Sequence, residues 1–375
     1  MTLKKVMPIL AIFVVVAASI TLVFGQQRPS AAASQVVYPY VQGNQIIGPS
    51  GQPLVLRGAH IASAFVFYNS WFHNNDVSRR FSSTILNEMA KTWHMNALRI
   101  PLSNWIWAKD SSNYIKTLDQ VVQQANAVGL YTILTLHDDA TAGSPYGTGA
   151  CTPKPESVTF WKAIATHYIN NPMVIFDAFN EPKFVDGPHW LSGGGTMKGS
   201  TGKTAPVIGM QGLVDAIRSV GAKQIVVIGG TAYPLKYSEK NAQLKINDPN
   251  IVYTKHWYKE ISLGNPSYWD SQIGYFKQFP IYFGEWALLP NSTIAVRCQG
   301  ATMQNADQLV NTFLNYANQN HMSWTAWQFG APYLVIDAKQ FVPTRLDDPN
   351  HAWKCNTPNA IAGMGTVVKQ FLLSH

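Results

Sequence analysis

Two glutamates occupy places where a carboxylate is costly unless it does chemistry. Glu181 closes the apolar run in "VIFDAFNEPK" between Asn180 and Pro182, and Glu285 closes "IYFGE". Both runs read as buried strands, so each strand ends in an acid. Two carboxyls flanking one position can divide the breaking of a glycosidic bond. One protonates the leaving oxygen while the other attacks the anomeric carbon. A separation of roughly 5 to 5.5 Å would imply retention through a covalent intermediate, and roughly 6.5 to 9.5 Å would leave room for water and imply inversion.

Other polar residues stand at similar places. Arg99 is embedded in "NALRIPLS", and a buried arginine requires a carboxylate partner. His60 closes "LRGAH", His137 closes "YTILTLH", and His256 with Tyr258 follows "IVYTK". A single histidine is as much at home in a core as in a site, but several at equivalent strand ends favour a site. Trp327 ends "SWTAW". Asp138 and Asp139 read as loop residues, and Asp177 as a structural ion-pair partner on its strand.

The elements that must hold these side chains recur regularly. Strand-like runs cover Leu54 to Ile61, Ala97 to Pro101, Tyr131 to His137, Val174 to Phe179, Gln224 to Gly229, Ile251 to His256, Ile281 to Phe283 and Ser323 to Phe329. Helical spacing fills the intervals at 82–94, 118–128, 157–169, 206–220, 268–279, 306–319 and 361–373, with caps such as Ser157 and closing glycines such as Gly129 and Gly221. Strand and helix alternating about eight times is the pattern of an α/β (β/α)8 TIM barrel in a single catalytic domain. Its strand ends converge on one face, where such enzymes keep their active sites. A doubly wound sheet would usually carry a Gly-rich phosphate turn after its first strand, which "LRGAHIASAF" lacks. The flexible-looking "GGGTMKGSTGK" lacks the Walker spacing, because its Gly202-Lys203-Thr204 follows a loop.

Asn180-Glu181-Pro182 with Glu285 resembles the retaining (β/α)8 glycoside hydrolases. The ordered set Arg99, His137, Asn180, Glu181, His256, Tyr258, Glu285 and Trp327 resembles family 5 in particular, the cellulase-like group, over about residues 45 to 373. The resemblance implies Glu181 as acid/base, Glu285 as nucleophile and Trp327 beneath the reacting sugar. The remaining residues would support the substrate and the acids. The family often has a GxN pattern at the end of strand one, where this chain reads Gly58-Ala59-His60; His60 is then a substitute hydrogen-bonding group. The implied activity is a secreted endo-acting hydrolase of β-1,4-glucan, with β-mannan as the alternative substrate. A non-catalytic carbohydrate-binding barrel and a metal-dependent hydrolase using His137, Asp139 and His256 are the rival classes. The histidines are isolated, with no paired His-x-His, so no metal and no cofactor are expected.

Composition agrees. Aromatic residues form 12% of the chain, including 12 Trp, which suits flat sugar-binding surfaces. Trp71, Phe72, Trp105, Trp107, Trp190, Trp257, Trp286 and Trp353 all follow strands closely enough to line a cleft, and about half are expected to be packing. The formal charge of +8 is scattered, in a pattern that does not predict nucleic-acid binding. A polysaccharide substrate and a monomer are expected. Lys4-Lys5 before an apolar run and the tract Ala31-Ala32-Ala33 predict that residues 1–33 are a signal peptide or an N-terminal membrane anchor, leaving 34–375 outside the cytoplasmic membrane. Three cysteines permit one disulfide; Cys298 and Cys355, both in polar loop-like sequence, are the expected pair rather than Cys151.

Overall fold

The computed structural model describes residues 36–62, 79–137, 152–184, 186–230, 245–290, 298–337, 339–348, 350, 352–357 and 361–375. The 1–33 segment lies outside them, as do Trp71, Phe72, Asp138, Asp139 and Cys151. Among the described residues, no helix is long and apolar enough to cross a membrane.

An antiparallel hairpin, β1 (Tyr40–Gln42) and β2 (Gln45–Ile47), precedes the barrel. The barrel strands are β3 (Arg57–His60), β4 (Ala97–Leu102), β5 (Tyr131–Leu136) and β6 (Val174–Asp177), followed after a second hairpin by β9 (Val226–Gly229), β10 (Ile251–Trp257), β11 (Ile281–Trp286) and β12 (Ser323–Ala326). All eight pair in parallel, in chain order, and β12 closes on β3. The intervening hairpin, β7 (Gly193–Lys198) and β8 (Thr204–Ile208), is formed by the Gly-rich segment, whose turn closes through Gly199 N to Lys203 O at 2.9 Å.

Period-two alternation sorts each strand between two cores. Ala97, Ile133 and Ile175 face the barrel axis with Ile225, Val227, Val252 and Tyr282, while Leu98, Ile100, Leu134 and Phe176 pack outward against the helices. Ile46 of β2 packs into that axial cluster, so the hairpin plugs the N-terminal mouth with hydrocarbon. Two residues further along the same inward faces come Arg99, Thr135 and Asp177. The axis thus turns from apolar to polar toward the C-terminal end.

The helices arise from sequence features that are easily traced. Asp110 accepts from Asn113 N at 3.3 Å and caps the helix Ser111–Ala127, which buries Tyr114, Leu118, Val121, Val122 and Ala125 at helical spacing. The cap explains why this helix begins well before residue 118. Ser157 is the third residue of the helix Pro155–His167 rather than its cap, and its Oγ accepts from Lys154 N at 3.1 Å. Gly129 and Gly221 follow helix ends at φ 95° and 86°, a region that favours glycine. Cys298 and Cys355 are joined by a disulfide that ties the segment after β11 to the long excursion after β12.

Candidate active site

Arg99 is the hub of the polar end of the barrel and is fully buried. Its Nε and Nη2 donate to Asp177 Oδ2 at 3.0 and 2.8 Å, and Nη2 also reaches Thr135 Oγ1 at 3.1 Å and Asn180 Oδ1 at 2.9 Å. Its Nη1 donates to Glu285 Oε1 at 2.8 Å. Burial alone would lower the guanidinium's pKa, but Asp177 and Glu285 outweigh it and raise the value above the ordinary one. The Asp177 carboxyl is pushed up by burial against the pull of Arg99. Asp177 is therefore the ion-pair partner inside the barrel, and Arg99 brings a second carboxylate, Glu285, to the same cation.

Glu285 is held at both oxygens, since Tyr258 Oη donates to Oε2 at 2.8 Å. Glu181 is half-open to solvent at 25% side-chain exposure, whereas Glu285 is at 6%. His256 sits between them, its Nδ1 3.0 Å from Glu181 Oε1 and 3.7 Å from Glu285 Oε2. One carboxylate oxygen of Glu181, one of Glu285 and a ring nitrogen of His256 all lie within 4.8 Å of one another. Burial, partly opposed by Glu285 and reinforced by Arg99, depresses the His256 pKa to about 3, so this imidazole is neutral at working pH. Gly284 makes the packing possible. A Cβ there would stand 2.8 Å from Thr254 Oγ1 and 2.9 Å from His256 Nε2.

The remaining candidates gather at the same end. Asn180 accepts from Arg99 through Oδ1, which leaves its amide NH2 as the end available to a ligand. His60 and His137 are buried with ring centroids 5.6 Å apart, and burial together with Arg99 holds both well below the ordinary imidazole pKa. Trp327 remains partly exposed and stacks on His60 at 4.5 Å. All nine sequence-predicted site residues thus lie around one cluster. Thr135 belongs to it as well and was not anticipated, although it carries the signal of a polar residue on the inward period of "YTILTL". Gln328 Oε1 accepts from Ala62 N at 2.8 Å.

The expectation that about half of these aromatics are packing holds for the tryptophans. Trp190, Trp257 and Trp286 are at most 1% exposed and Trp353 is at 6%, so these four pack the core instead of lining a cleft. Trp190 Nε1 donates to Gly229 O and Trp353 Nε1 to Leu346 O, while Trp257 and Trp286 pack against Phe313. Trp107 packs edge-on against Phe160, and Trp105 lies under Lys109 Nζ at 5.1 Å.

Two triads have the donor types of a metal site, His60–His137–Glu285 and Glu181–His256–Glu285, each within 4.8 Å. In the first, the Arg99 guanidinium already occupies Glu285 Oε1 and approaches His60 Nδ1 at 3.4 Å, so a second cation would meet a fixed positive charge. In the second, Glu285 Oε2 is taken by Tyr258. The arrangement suits the handling of one proton and one anion at a single position, with a hydroxyl and a guanidinium to hold the anion.

Comparison with known proteins gives the same direction. The model of the family "Cellulase (glycosyl hydrolase family 5)" matches residues 50–332. An endoglucanase of Paenibacillus polymyxa is 24% identical over 345 residues, covering 79% of this chain and 80% of that protein. The cellulase CelDZ1 of a Thermoanaerobacterium species is 22% identical over 350 residues, covering 88% and 80%. Among solved structures, the β-glucanase SdGluc5_26A of Saccharophagus degradans in complex with cellotetraose superposes with a TM-score of 0.66 at 20% identity, covering 90% of this chain and 93% of that one. The catalytic domain of Thermobifida fusca endoglucanase Cel5A gives a TM-score of 0.61 at 17% identity, covering 90% and 98%. These likenesses establish the (β/α)8 barrel of the family.

Proposed function

The chain belongs to the cellulase family, glycosyl hydrolase family 5, and on that premise we propose that this glycoside hydrolase is a secreted, retaining endo-β-1,4-glucanase in which Glu285 is the nucleophile and Glu181 the acid/base. The observation that carries the reading is the approach of one oxygen of each carboxylate to within 4.8 Å, well short of the roughly 6.5 to 9.5 Å that an intervening nucleophilic water needs, which favours the retaining geometry.

The environments divide the roles. Glu285 accepts from Arg99 and Tyr258, donors that favour an anion ready to attack. Glu181 is the more exposed of the two and lies beside a neutral imidazole. With its pKa near 3, His256 does not compete for the catalytic proton. In the first step the Glu285 carboxylate bonds to the anomeric carbon while the glycosidic C–O bond breaks and its oxygen takes the Glu181 proton. In the second step water adds to that carbon, giving its proton to Glu181, and the ester bond to Glu285 breaks. Asn180 offers its amide to the sugar 2-hydroxyl, and Trp327 is the floor beneath the ring. The endoglucanase and β-glucanase names of the relatives support β-1,4-glucan as substrate.

The test is reducing-end release from carboxymethylcellulose, β-mannan and xylan, with the anomer of fresh cello-oligosaccharide product followed by proton NMR. We expect carboxymethylcellulose to be cut, the β anomer to appear first, and Glu181→Gln and Glu285→Gln each to lose at least about a hundredfold in kcat. An initial α anomer would overturn the two-step mechanism. Preference for mannan would overturn the substrate.

A further inference from the structure

His60 lies where the nucleophile's support meets the sugar-binding ring. Arg99 is fully buried, so each of its five N–H protons needs an acceptor. Asp177, Thr135, Asn180 and Glu285 take those of Nε, Nη2 and one on Nη1. The remaining Nη1 proton faces His60 Nδ1 at 3.4 Å. Arginine only donates, so His60 Nδ1 is the lone-pair nitrogen and the ring proton sits on Nε2. The same ring lies face to face with Trp327 at 4.5 Å and 26°. The backbone reinforces this pairing, since Phe329 N donates to His60 O at 2.9 Å and Ala62 N to Gln328 Oε1 at 2.8 Å. The exits of β3 and β12 are stitched on either side of the stack. With only 1% of its surface exposed, His60 acts through its neighbours instead of on a sugar.

We propose that His60 is a positioning residue with two separable tasks: its Nδ1 completes the set of acceptors that orients Arg99 toward Glu285, and its ring face sets the plane of Trp327. The proposal rests on the roles given above to Glu285 and Trp327. Two substitutions divide the tasks. His60→Asn places an amide oxygen near the position of Nδ1 but removes the flat face. His60→Phe keeps a flat face but removes the acceptor, leaving one N–H of Arg99 buried without a partner.

The experiment measures kcat and KM of both variants on a soluble cello-oligosaccharide, together with denaturant unfolding. For His60→Asn, KM should rise about two- to tenfold, the scale of one aromatic pair, with a smaller fall in kcat. For His60→Phe, kcat should fall about tenfold or more with KM within about twofold, the scale of an orphaned buried donor next to a reacting anion. In unfolding, His60→Asn combined with Trp327→Ala should change the unfolding constant by at least about threefold less than the product of the single effects. Identical kinetic patterns in the two variants, an unchanged KM in His60→Asn, or additive unfolding effects would each overturn the proposal. Absence of turnover in the wild type would instead overturn the functional reading, while the unfolding cycle would still decide whether His60 holds Trp327.

Discussion

Arg99 Nη1 lies 2.8 Å from Glu285 Oε1, although the two residues come from strands separated by nearly half the chain. The same guanidinium is anchored on its other edge by Asp177 Oδ2 at 2.8 Å. Glu285 is therefore registered to the barrel through a rigid planar fork, not through its own short stem. Removing that fork would leave two carboxylates buried without their shared cation.

Lysine cannot replace it. Its ammonium is a point charge with three donors and cannot span Asp177, Asn180, Thr135 and Glu285 together. Arg99→Lys should lose about a hundredfold or more in kcat/KM, and Arg99→Met should destabilise the fold by about 3 to 5 kcal/mol in urea unfolding. A variant with wild-type turnover would show that the network is only structural.

A methyl group in place of a hydrogen should also reach the chemistry. The Cβ of Gly284→Ala would stand 2.9 Å from His256 Nε2 and 2.8 Å from Thr254 Oγ1, closer than real Cβ contacts allow. His256 is the side chain that bridges toward Glu181, so its displacement moves the proton donor's neighbour. We expect kcat to fall about tenfold or more, at a stability cost of about 1 to 3 kcal/mol from overpacking. Unchanged kcat with lowered melting temperature would place the slack elsewhere.

The sequence carries the barrel well because parallel strands buried on both faces are continuous apolar runs, and each polar strand end breaks such a run visibly. Arg99, Glu181 and Glu285 could be found that way. Other features were hidden for definite reasons. β1 and β2 have three residues each, too few to show a period, and β7 lies in a glycine run with no side-chain pattern. Trp257 and Trp286 sit at strand ends like the site residues, but they occupy the outward phase of β10 and β11 and pack under the helix Ala306–Gln319. Position along the chain locates an aromatic near the face; only the phase and register show whether it meets solvent.

Acid should weaken the fold through its buried imidazoles. His60, His137 and His256 all have folded pKa values below the ordinary 6.5, the last at about 3. Below pH 6.5 the unfolded chain takes up protons that the folded chain refuses, so stability falls as pH falls, until the folded values are reached. Each histidine contributes up to about 1.4 kcal/mol per pH unit in that window. The melting temperature should drop steadily from pH 7 to pH 4, and His137→Gln should flatten the slope. A slope unchanged by that substitution would remove His137 from the groups that titrate in that window.

Lys255 should give a dependence in a different pH window. It immediately precedes His256 on β10, is fully buried, and donates from Nζ to Gln272 O at 2.7 Å. Burial, partly opposed by Glu260, lowers its pKa from 10.5 to about 7. Between pH 7 and 10.5 the unfolded chain binds the proton more readily than the folded one, so stability rises with pH across that window. Below pH 7 the folded lysine is charged and the cost of burying it is at its full value, on the order of a few kcal/mol. Lys255→Met keeps the stem and removes the charge. It should be more stable than wild type by urea unfolding at pH 6, with the difference shrinking toward pH 10. Activity should be retained, because Lys255 packs on the Gln272 side of the strand while His256 carries the contact to Glu181. A stability difference that does not change with pH would mean that the lysine is not titrating in the fold, and that its hydrogen bond to Gln272 accounts for the whole effect.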